Sequence, residues 1–389
     1  MVAGQAKAYR QLGARVVSIA LSDQVVFGLA AARFTRAYLE ASPELDADRR
    51  FVTGLSGSAV LNPLKIARIG WSFAHGDHAA TYLAFALSSP QLSRLGRERF
   101  DLVHCNHFFC MPLAQSLRSA QGCPLLLDTH DIQAKQYALR NTNGWYLPPR
   151  ASYKSMLARE LEWLRRADLL LHLNTEEEAT FRALLPGQRH VLLYPPVEAI
   201  PTGPGGCDLV IVASANVPNI LSLEWFLREV MPRAGDISLA IYGNVDAAIR
   251  SRDPTLYRRF AGHFRGRIDD IGAAYANAAA VLLPTTEGHG LSIKTIEALS
   301  SGAPLIATRH AFRGIAVDPA SLGNVTIADS PEAFAAALPK LAAEEAERDV
   351  RQNSPTRRLY EAAFSPAAYR QSLARLVGPL VSARANLSA

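Results

Sequence analysis

The chain has no run of about 18 uninterrupted apolar residues, so no segment reads as a membrane-spanning helix. Its first ten residues, Met1 to Arg10, lack the apolar core of a secretory signal peptide. Cysteine is scarce: Cys105, Cys110, Cys123 and Cys207 are too few and too scattered for a disulfide scaffold, which fits a reduced, cytoplasmic compartment. Gly (25) and Pro (23) are at ordinary levels, which excludes collagen-like or low-complexity design. Basic and aromatic residues are not interleaved, which argues against a nucleic-acid partner. What remains is a chain of 389 residues, 49% hydrophobic, long enough for two domains with cores of their own.

The net charge of +6 is uneven. Residues 1–200 carry 22 Lys and Arg against 17 Asp and Glu, and residues 351–389 carry six Arg against the single acid Glu361. Basic character on one half and on the C-terminal segment suits an anionic surface or substrate.

Short apolar runs alternate with amphipathic helical stretches, the pattern of α/β architecture with parallel sheets. Strands are expected at Arg15–Leu21, Arg50–Gly54, Asp101–Asn106, Pro124–Thr129, Asp168–Leu173 and His190–Tyr194, with one long helical stretch at Leu64–Leu87. The densest Pro/Gly stretch, Tyr194–Cys207, reads as an interdomain linker. The alternation then restarts, with strands at Asp208–Ala213, Ser238–Tyr242, Gly262–Arg267, Ala280–Leu283, Pro304–Thr308 and Asn324–Ile327, and a mostly helical remainder from about 343 to 387. The expected organisation is two doubly wound domains facing a cleft: 1–196, joined by a C-terminal helix at about 365–389, and 208–364.

One run concentrates the chemistry: Ala280-Val-Leu-Leu-Pro-Thr-Thr-Glu-Gly-His-Gly-Leu-Ser-Ile-Lys-Thr-Ile-Glu-Ala-Leu-Ser-Ser-Gly-Ala-Pro304. It reads as strand, glycine-bearing loop, helix and glycine stop. Gly288 and Gly290 let the backbone approach a ligand closely. The helix N-terminus offers amide donors and a positive dipole end suited to phosphate. Lys294 adds a compact cation, and Glu297, one turn on, can accept hydrogen bonds from sugar hydroxyls.

With Pro284, Gly288, Gly290, Lys294, Glu297, Ala298, Leu299, Gly302 and Pro304 in this pattern, the chain resembles the retaining GT-B glycosyltransferases of group 1 (family 4). The resemblance extends back through Ser214–Asn219 with its helix ending Val230-Met-Pro232, Ala240–Gly243, Arg265–Asp270 and Tyr275-Ala-Asn-Ala, and forward to Ala311–Gly314, so it covers about residues 208–320. The first half matches more loosely, through Asp128-Thr-His-Asp131 and Leu171–Glu178. The family implies two Rossmann-like domains and a nucleoside diphosphate sugar held by the second. It implies that Glu297 binds ribose, that the backbone of Arg267 and Ile268 holds the base, and that the amides of Gly290 and Leu291 with Lys294 meet the diphosphate. It implies no metal ion and no other cofactor.

This chain departs from the family pattern in two places. Many members carry a second Glu eight residues before the ribose-binding one; here that position is His289 and the nearest acid is Glu287, so the sugar-contacting role stays open between them. Many members also place Arg and Lys in the loop that here reads Ser214 to Asn219, so Lys294, Arg309 or Arg313 must supply the positive charge.

On the acceptor side, His130 and Asp131 end an apolar strand and are candidate catalytic residues, with the alternative that Asp131 caps the next helix. His107 is an acceptor-side candidate. The run His104-Cys-Asn-His107 does not have the spacing of a zinc knuckle, and a strand would point alternate residues oppositely, so no metal site is expected. Trp71, Trp145, Trp163 and Trp225 read as core or interface residues, with Trp145, in the loop Asn141–Pro149, the best candidate among them for a sugar-stacking platform. GT-B members open with a strand and a glycine-rich loop, whereas this sequence begins in its first helix. That first strand is therefore expected to be missing, with Gly4 as the remnant of an acceptor-side loop. The resulting expectation is a cytoplasmic transferase acting on a glycan or lipid-linked acceptor, with peripheral contact at the inner face of the membrane. The rival readings are a GT-B sugar-nucleotide epimerase and a non-catalytic partner subunit.

Overall fold

The computed structural model describes residues 2–21, 45–53, 61–87, 99–342 and 348–387. The chain divides into two units, Met1–Pro195 with Tyr369–Ala389, and Pro196–Ala368. Parts of the expected strand Arg50–Gly54 and of the expected helical remainder lie outside the described residues.

In the first unit, strands β1 (Val17–Leu21) and β2 (Arg49–Thr53) pair in parallel as a two-stranded sheet. Strands β3 (Val103–Asn106), β4 (Leu125–Asp128), β5 (Leu169–His172) and β6 (His190–Leu192) form a separate parallel sheet in that order. Its helices include α1 (Val2–Gln11), α2 (Pro63–Ala74), α3 (His78–Leu87), α4 (Met111–Gln121), α5 (Gln133–Asn143), α6 (Tyr153–Leu164) and α7 (Thr175–Leu184). The runs Leu125–Leu127 and Leu169–Leu171 are apolar without alternation, as a parallel sheet covered on both faces requires. Successive residues serve opposite cores. Leu125, Leu127 and Leu170 pack with Met111, Met156 and Phe181, whereas Leu126, Leu169 and Leu171 pack with Ala8, Tyr369 and Leu373.

The stretch expected as one helix over Leu64–Leu87 is two, α2 and α3, broken at Gly76. That residue has φ 70°, and a Cβ there would lie 2.6 Å from Asn141 Oδ1, so only glycine fits. Gly4 lies inside α1 rather than in a loop, which corrects its acceptor-loop assignment. The helix N-terminal to β1 begins at Val2 and already buries Gln5, Ala6 and Ala8.

In the second unit, six parallel strands run in the order β12-β11-β10-β7-β8-β9: β7 (Asp208–Val212), β8 (Leu239–Tyr242), β9 (Phe264–Gly266), β10 (Ala278–Leu283), β11 (Leu305–Ala307) and β12 (Val325–Ile327). This is the doubly wound order, and its direction reverses between β7 and β10, where such sheets bind ligands at the strand carboxyl ends. Helices α8 (Val217–Trp225), α9 (Ile293–Ser301), α10 (Pro331–Ala342) and α11 (Pro355–Ala363) pack around the sheet. Phe226 and Phe334, 5.7 Å apart, sit in the core with Leu209, Ile211 and Leu239. A Cβ on Gly302, the left-handed cap of α9, would lie 2.1 Å from Arg351 O, so the predicted glycine stop is sterically required. A last helix, α12 (Pro366–Leu387), returns the chain to the first unit.

Candidate active site

In the second unit, the loop after β10 carries both glycines with positive φ, 121° at Gly288 and 68° at Gly290. A Cβ on Gly288 would lie 2.9 Å from Arg313 Nη2 and 3.5 Å from Pro218 Cβ, so the guanidinium and the start of α8 close on bare backbone. Ser222, buried in α8, accepts from Thr286 N at 3.1 Å and from Glu287 N at 3.4 Å and ties the loop down. His310 Nε2 meets Gly288 O at 3.2 Å, and Arg313 Nη1 donates to His310 O at 3.2 Å. Neither Ser222 nor His310 was singled out from the sequence, because neither belongs to a local motif.

The N-terminus of α9 is capped by Ser292, whose Oγ accepts from Thr295 N at 3.3 Å. Lys294 Nζ donates to Glu297 Oε2 at 2.7 Å, and the phenol of buried Tyr275 donates to the same oxygen at 3.3 Å. The cation and the carboxylate assigned to different parts of a nucleotide are therefore each other's partner. Tyr275, whose phenol is pushed well up by burial and then by Glu297, holds the carboxylate from below. Glu287 and His289 are exposed on the loop, with Leu291 half-buried beside them. After β7, Asn219 Nδ2 donates to Ser214 O at 3.1 Å and to Ser214 Oγ at 3.0 Å, so these two residues knit the cap of α8. Arg267, exposed, and Ile268, half-buried, follow β9. Arg309 pairs with Asp318 at 3.2 Å, both largely exposed.

In the first unit, the carboxyl ends of adjacent strands β3 and β4 bring His107 and His130 together. Their rings stack at 3.9 Å and 25°, and His130 Nε2 meets Asn106 Oδ1 at 2.9 Å. His107, His130 and Asp131 are the non-glycine residues with positive φ among those described, at 68°, 52° and 75°. Such backbone is costly and persists only where the surroundings impose it, typically at functional sites.

The surroundings here are two buried glutamates. Glu177 of α7 accepts from Asp131 N at 3.1 Å, Leu173 N at 3.2 Å and Asn174 Nδ2 at 3.2 Å, and from the Thr129 hydroxyl. Glu160 of α6, fully buried, accepts from Gln133 N at 3.1 Å and Ala134 N at 2.9 Å, capping α5 from outside its own chain segment. The residue before α5 is Ile132, and the first amides of the helix go to Glu160, which corrects the assignment of Asp131 as its cap. Burial pushes the Glu177 carboxyl up to about 8 and that of Glu160 to about 7, against the pull of these donors.

Below the turn, buried Asp128 accepts from Gln5 and lies 3.2 Å from His104 Nε2, while Tyr9 OH meets His104 Nδ1 at 2.8 Å. Burial, reinforced by His130, pulls His107 down to about 3; burial pulls His130 down to about 4 despite Asp128. Both imidazoles are therefore neutral at pH 7 and act as hydrogen-bonding groups rather than cations.

A surface cavity of about 480 Å3 in the same unit is lined by Arg118, Arg165, Arg189 and Gln188 among others. It sits where β5 and β6 begin, the end of the sheet opposite His107 and His130. Open α/β sheets bind at their carboxyl ends, so the stacked histidines mark the better site.

Residues 207–344 match the family model described as glycosyl transferases group 1. The phosphatidyl-myo-inositol mannosyltransferase of Mycobacterium tuberculosis is 34% identical over 118 residues, 29% of this chain and 30% of that protein. The match thus spans under a third of the curated relative's length. Over the whole fold, the chain is similar to sucrose-phosphate synthase from Thermosynechococcus elongatus, with a TM-score of 0.60, 17% identity and coverage of 95% of this chain and 100% of that one. It is also similar to Anabaena HepE solved with UDP and glucose, with a TM-score of 0.57, 13% identity and coverage of 94% and 100%.

Proposed function

We propose that this chain, whose second unit is a group 1 glycosyltransferase domain on a GT-B-type fold, moves a sugar from a nucleoside diphosphate sugar to an acceptor hydroxyl with retention and without a metal ion. The observation that carries the reading is the glycine loop at the β7/β10 reversal, set beside Arg313 and the capped start of α9. Backbone amides, a guanidinium and the Lys294 ammonium supply positive charge where a diphosphate would lie. Glu297, oriented by Tyr275 and Lys294, is set to accept from ribose hydroxyls.

In this mechanism the bond between the anomeric carbon and the diphosphate oxygen breaks as the acceptor oxygen bonds to the same face. The acceptor proton passes to the departing diphosphate oxygen, so atoms and charge balance without a protein nucleophile. The protein's part is positioning and charge stabilisation. Arg313 and Lys294 stabilise the diphosphate, Glu287 or His289 contacts the transferred sugar, and in the first unit the neutral pair His107 and His130 orients acceptor hydroxyls. HepE was solved with UDP and glucose, which supports a uridine diphosphate sugar as the first donor to try. The mannosyltransferase relative, named for a phosphatidylinositol acceptor, supports a lipid-linked acceptor and with it action at a membrane surface. No helix among the described residues is long and apolar enough to cross one.

The test is a panel of nucleoside diphosphate sugars scored by thermal shift, followed by product analysis with and without lipid-extract acceptors. A shift with one donor and a new glycoside only when acceptor is present supports the transferase. No shift with any donor, or an epimerised donor formed without acceptor, overturns it.

A further inference from the structure

Fifteen large apolar side chains are exposed among the described residues, and nine of them fall in two short stretches of the first unit, 61–73 and 139–153. The most exposed are Leu61 (85%), Leu64 (81%), Trp71 (68%), Phe73 (58%) and Trp145 (84%). By contrast, Trp163 and Trp225 pack against the cores of their units. The two stretches form one surface. Leu147 N donates to Ala74 O and Ala151 N to His75 O, both at 2.8 Å, and His78 Nε2 meets Tyr146 OH at 3.2 Å.

Helix α2 is the distinctive part of this surface. A short helix takes most of its stability from burying an apolar face. None of the 12 residues of α2 is buried. Leu64 and Trp71 are two turns apart, as are Ile66 and Phe73, so they form two exposed apolar stripes with Lys65 and Arg68 between them.

The charge around these stripes has one sign. Residues 61–76 and 132–158 contain no Asp or Glu, and carry Lys65, Arg68, Lys135, Arg140, Arg150 and Lys154, all exposed. None of these six is in an ion pair among the described residues. Protein–protein interfaces are depleted in Lys relative to the rest of the surface. Tryptophan and phenylalanine flanked by Lys and Arg, with acids absent, instead match the headgroup layer of an anionic bilayer.

We propose that this face docks on a membrane containing anionic lipid, with α2 lying along the headgroups, its apolar stripes immersed and its cations at the phosphates. The inference rests on the lipid-acceptor part of the transferase reading, for which it names the surface, and uses neither the glycine loop nor the stacked histidines.

The test is co-sedimentation of the full chain with vesicles of phosphatidylcholine alone or of equal parts phosphatidylcholine and phosphatidylglycerol. Sedimentation with the mixed vesicles, a blue shift of tryptophan emission and partial loss in salt are expected. The triple variant Trp71→Ser, Phe73→Ser, Trp145→Ser should bind at least about tenfold less tightly, and Lys65→Gln or Arg68→Gln about fivefold less tightly each. Val350→Ser, which removes an exposed apolar residue of the second unit, serves as the control and should change nothing. The docking is overturned if wild type stays in the supernatant, if the triple variant sediments like wild type, or if the variant only abolishes self-association measured without vesicles. Circular dichroism melting confirms that the variants are folded. Thermal shift with donor reads the other proposal separately: donor binding without vesicle binding sinks only the docking, and the reverse sinks only the transferase.

Discussion

The two candidate sites are built by opposite means. The second unit's site is centred on one continuous segment, 280–304, in which glycine conformations and a helix start do most of the shaping, with Ser222, Tyr275 and Arg313 packed onto it. Its charged groups are partly exposed, and none of Glu287, His289, Lys294 and Glu297 is deeply buried. The first unit's site is assembled from five separate places: α1, the ends of β3 and β4, α6 and α7. Its backbone is strained, and its titratable groups are buried and pulled far from their ordinary values. A site that binds a charged, hydrated group can be made of local backbone donors. A site that orients neutral hydroxyls needs fixed side chains, and fixing them takes long-range packing.

The sharpest way to break this comparison is Glu177→Ala. It removes the acceptor used by Asp131 N, Leu173 N and Asn174 Nδ2, while the Thr129 hydroxyl keeps Leu171 O at 3.1 Å, and should destabilise the first unit by about 3–5 kcal/mol in urea titration. The donor-induced thermal shift should survive wherever the chain stays folded. If it is lost in parallel, the two sites are not separable.

Acid should act on the same unit. His107 and His130 titrate at about 3 and about 4 in the folded chain, whereas an unfolded histidine titrates near 6.5. Below about 6.5 the unfolded chain therefore binds more protons at these two histidines, so their contribution to stability falls by a few kcal/mol as pH drops toward 4, while Glu177 and Glu160, raised to about 8 and about 7, contribute the opposite slope as pH falls from about 8. His107→Asn, which tolerates the positive φ, should flatten that slope in pH-dependent melts.

Within the second unit, Gly288→Ala places a methyl group 2.9 Å from Arg313 Nη2 at φ 121° and should weaken donor binding about tenfold or more, by calorimetric titration, with little change in the first unit. Lys294→Ala and Glu297→Ala should each weaken donor binding strongly while leaving the fold intact. Because the two side chains pair at 2.7 Å, their effects should be non-additive, with a coupling of about 0.5 kcal/mol in the free chain's stability. Arg309→Ala, which removes only an exposed pair with Asp318, should change stability by less than about 0.5 kcal/mol.

Most of the second unit was legible. Every strand expected after Cys207 coincides with one of β7 to β12, because each apolar run is short and bounded by turn residues. The glycine stop at Gly302 followed from position alone. The first unit was harder to read. A helical pattern ran unbroken through His75–Asp77, and only the close approach of Asn141 forces the turn at Gly76. His130, Asp131 and His107 stood out as strand-end residues, but nothing local marked Glu160 or Ser222, whose partners lie 26 and 64 residues away in sequence.

The sequence by itself determined the α/β alternation and the glycine-bearing loop at 284–292, since each depends on the conformational range of a few adjacent residues. Only the tertiary structure decided that Lys294 and Glu297 face each other, that Arg313 covers Gly288, and that two buried glutamates hold the His130 turn. It also decided that α2 lies with its apolar stripes uncovered. Those facts depend on which distant groups satisfy one another's hydrogen bonds and bury one another's surface, and a periodicity read along one chain carries no record of that.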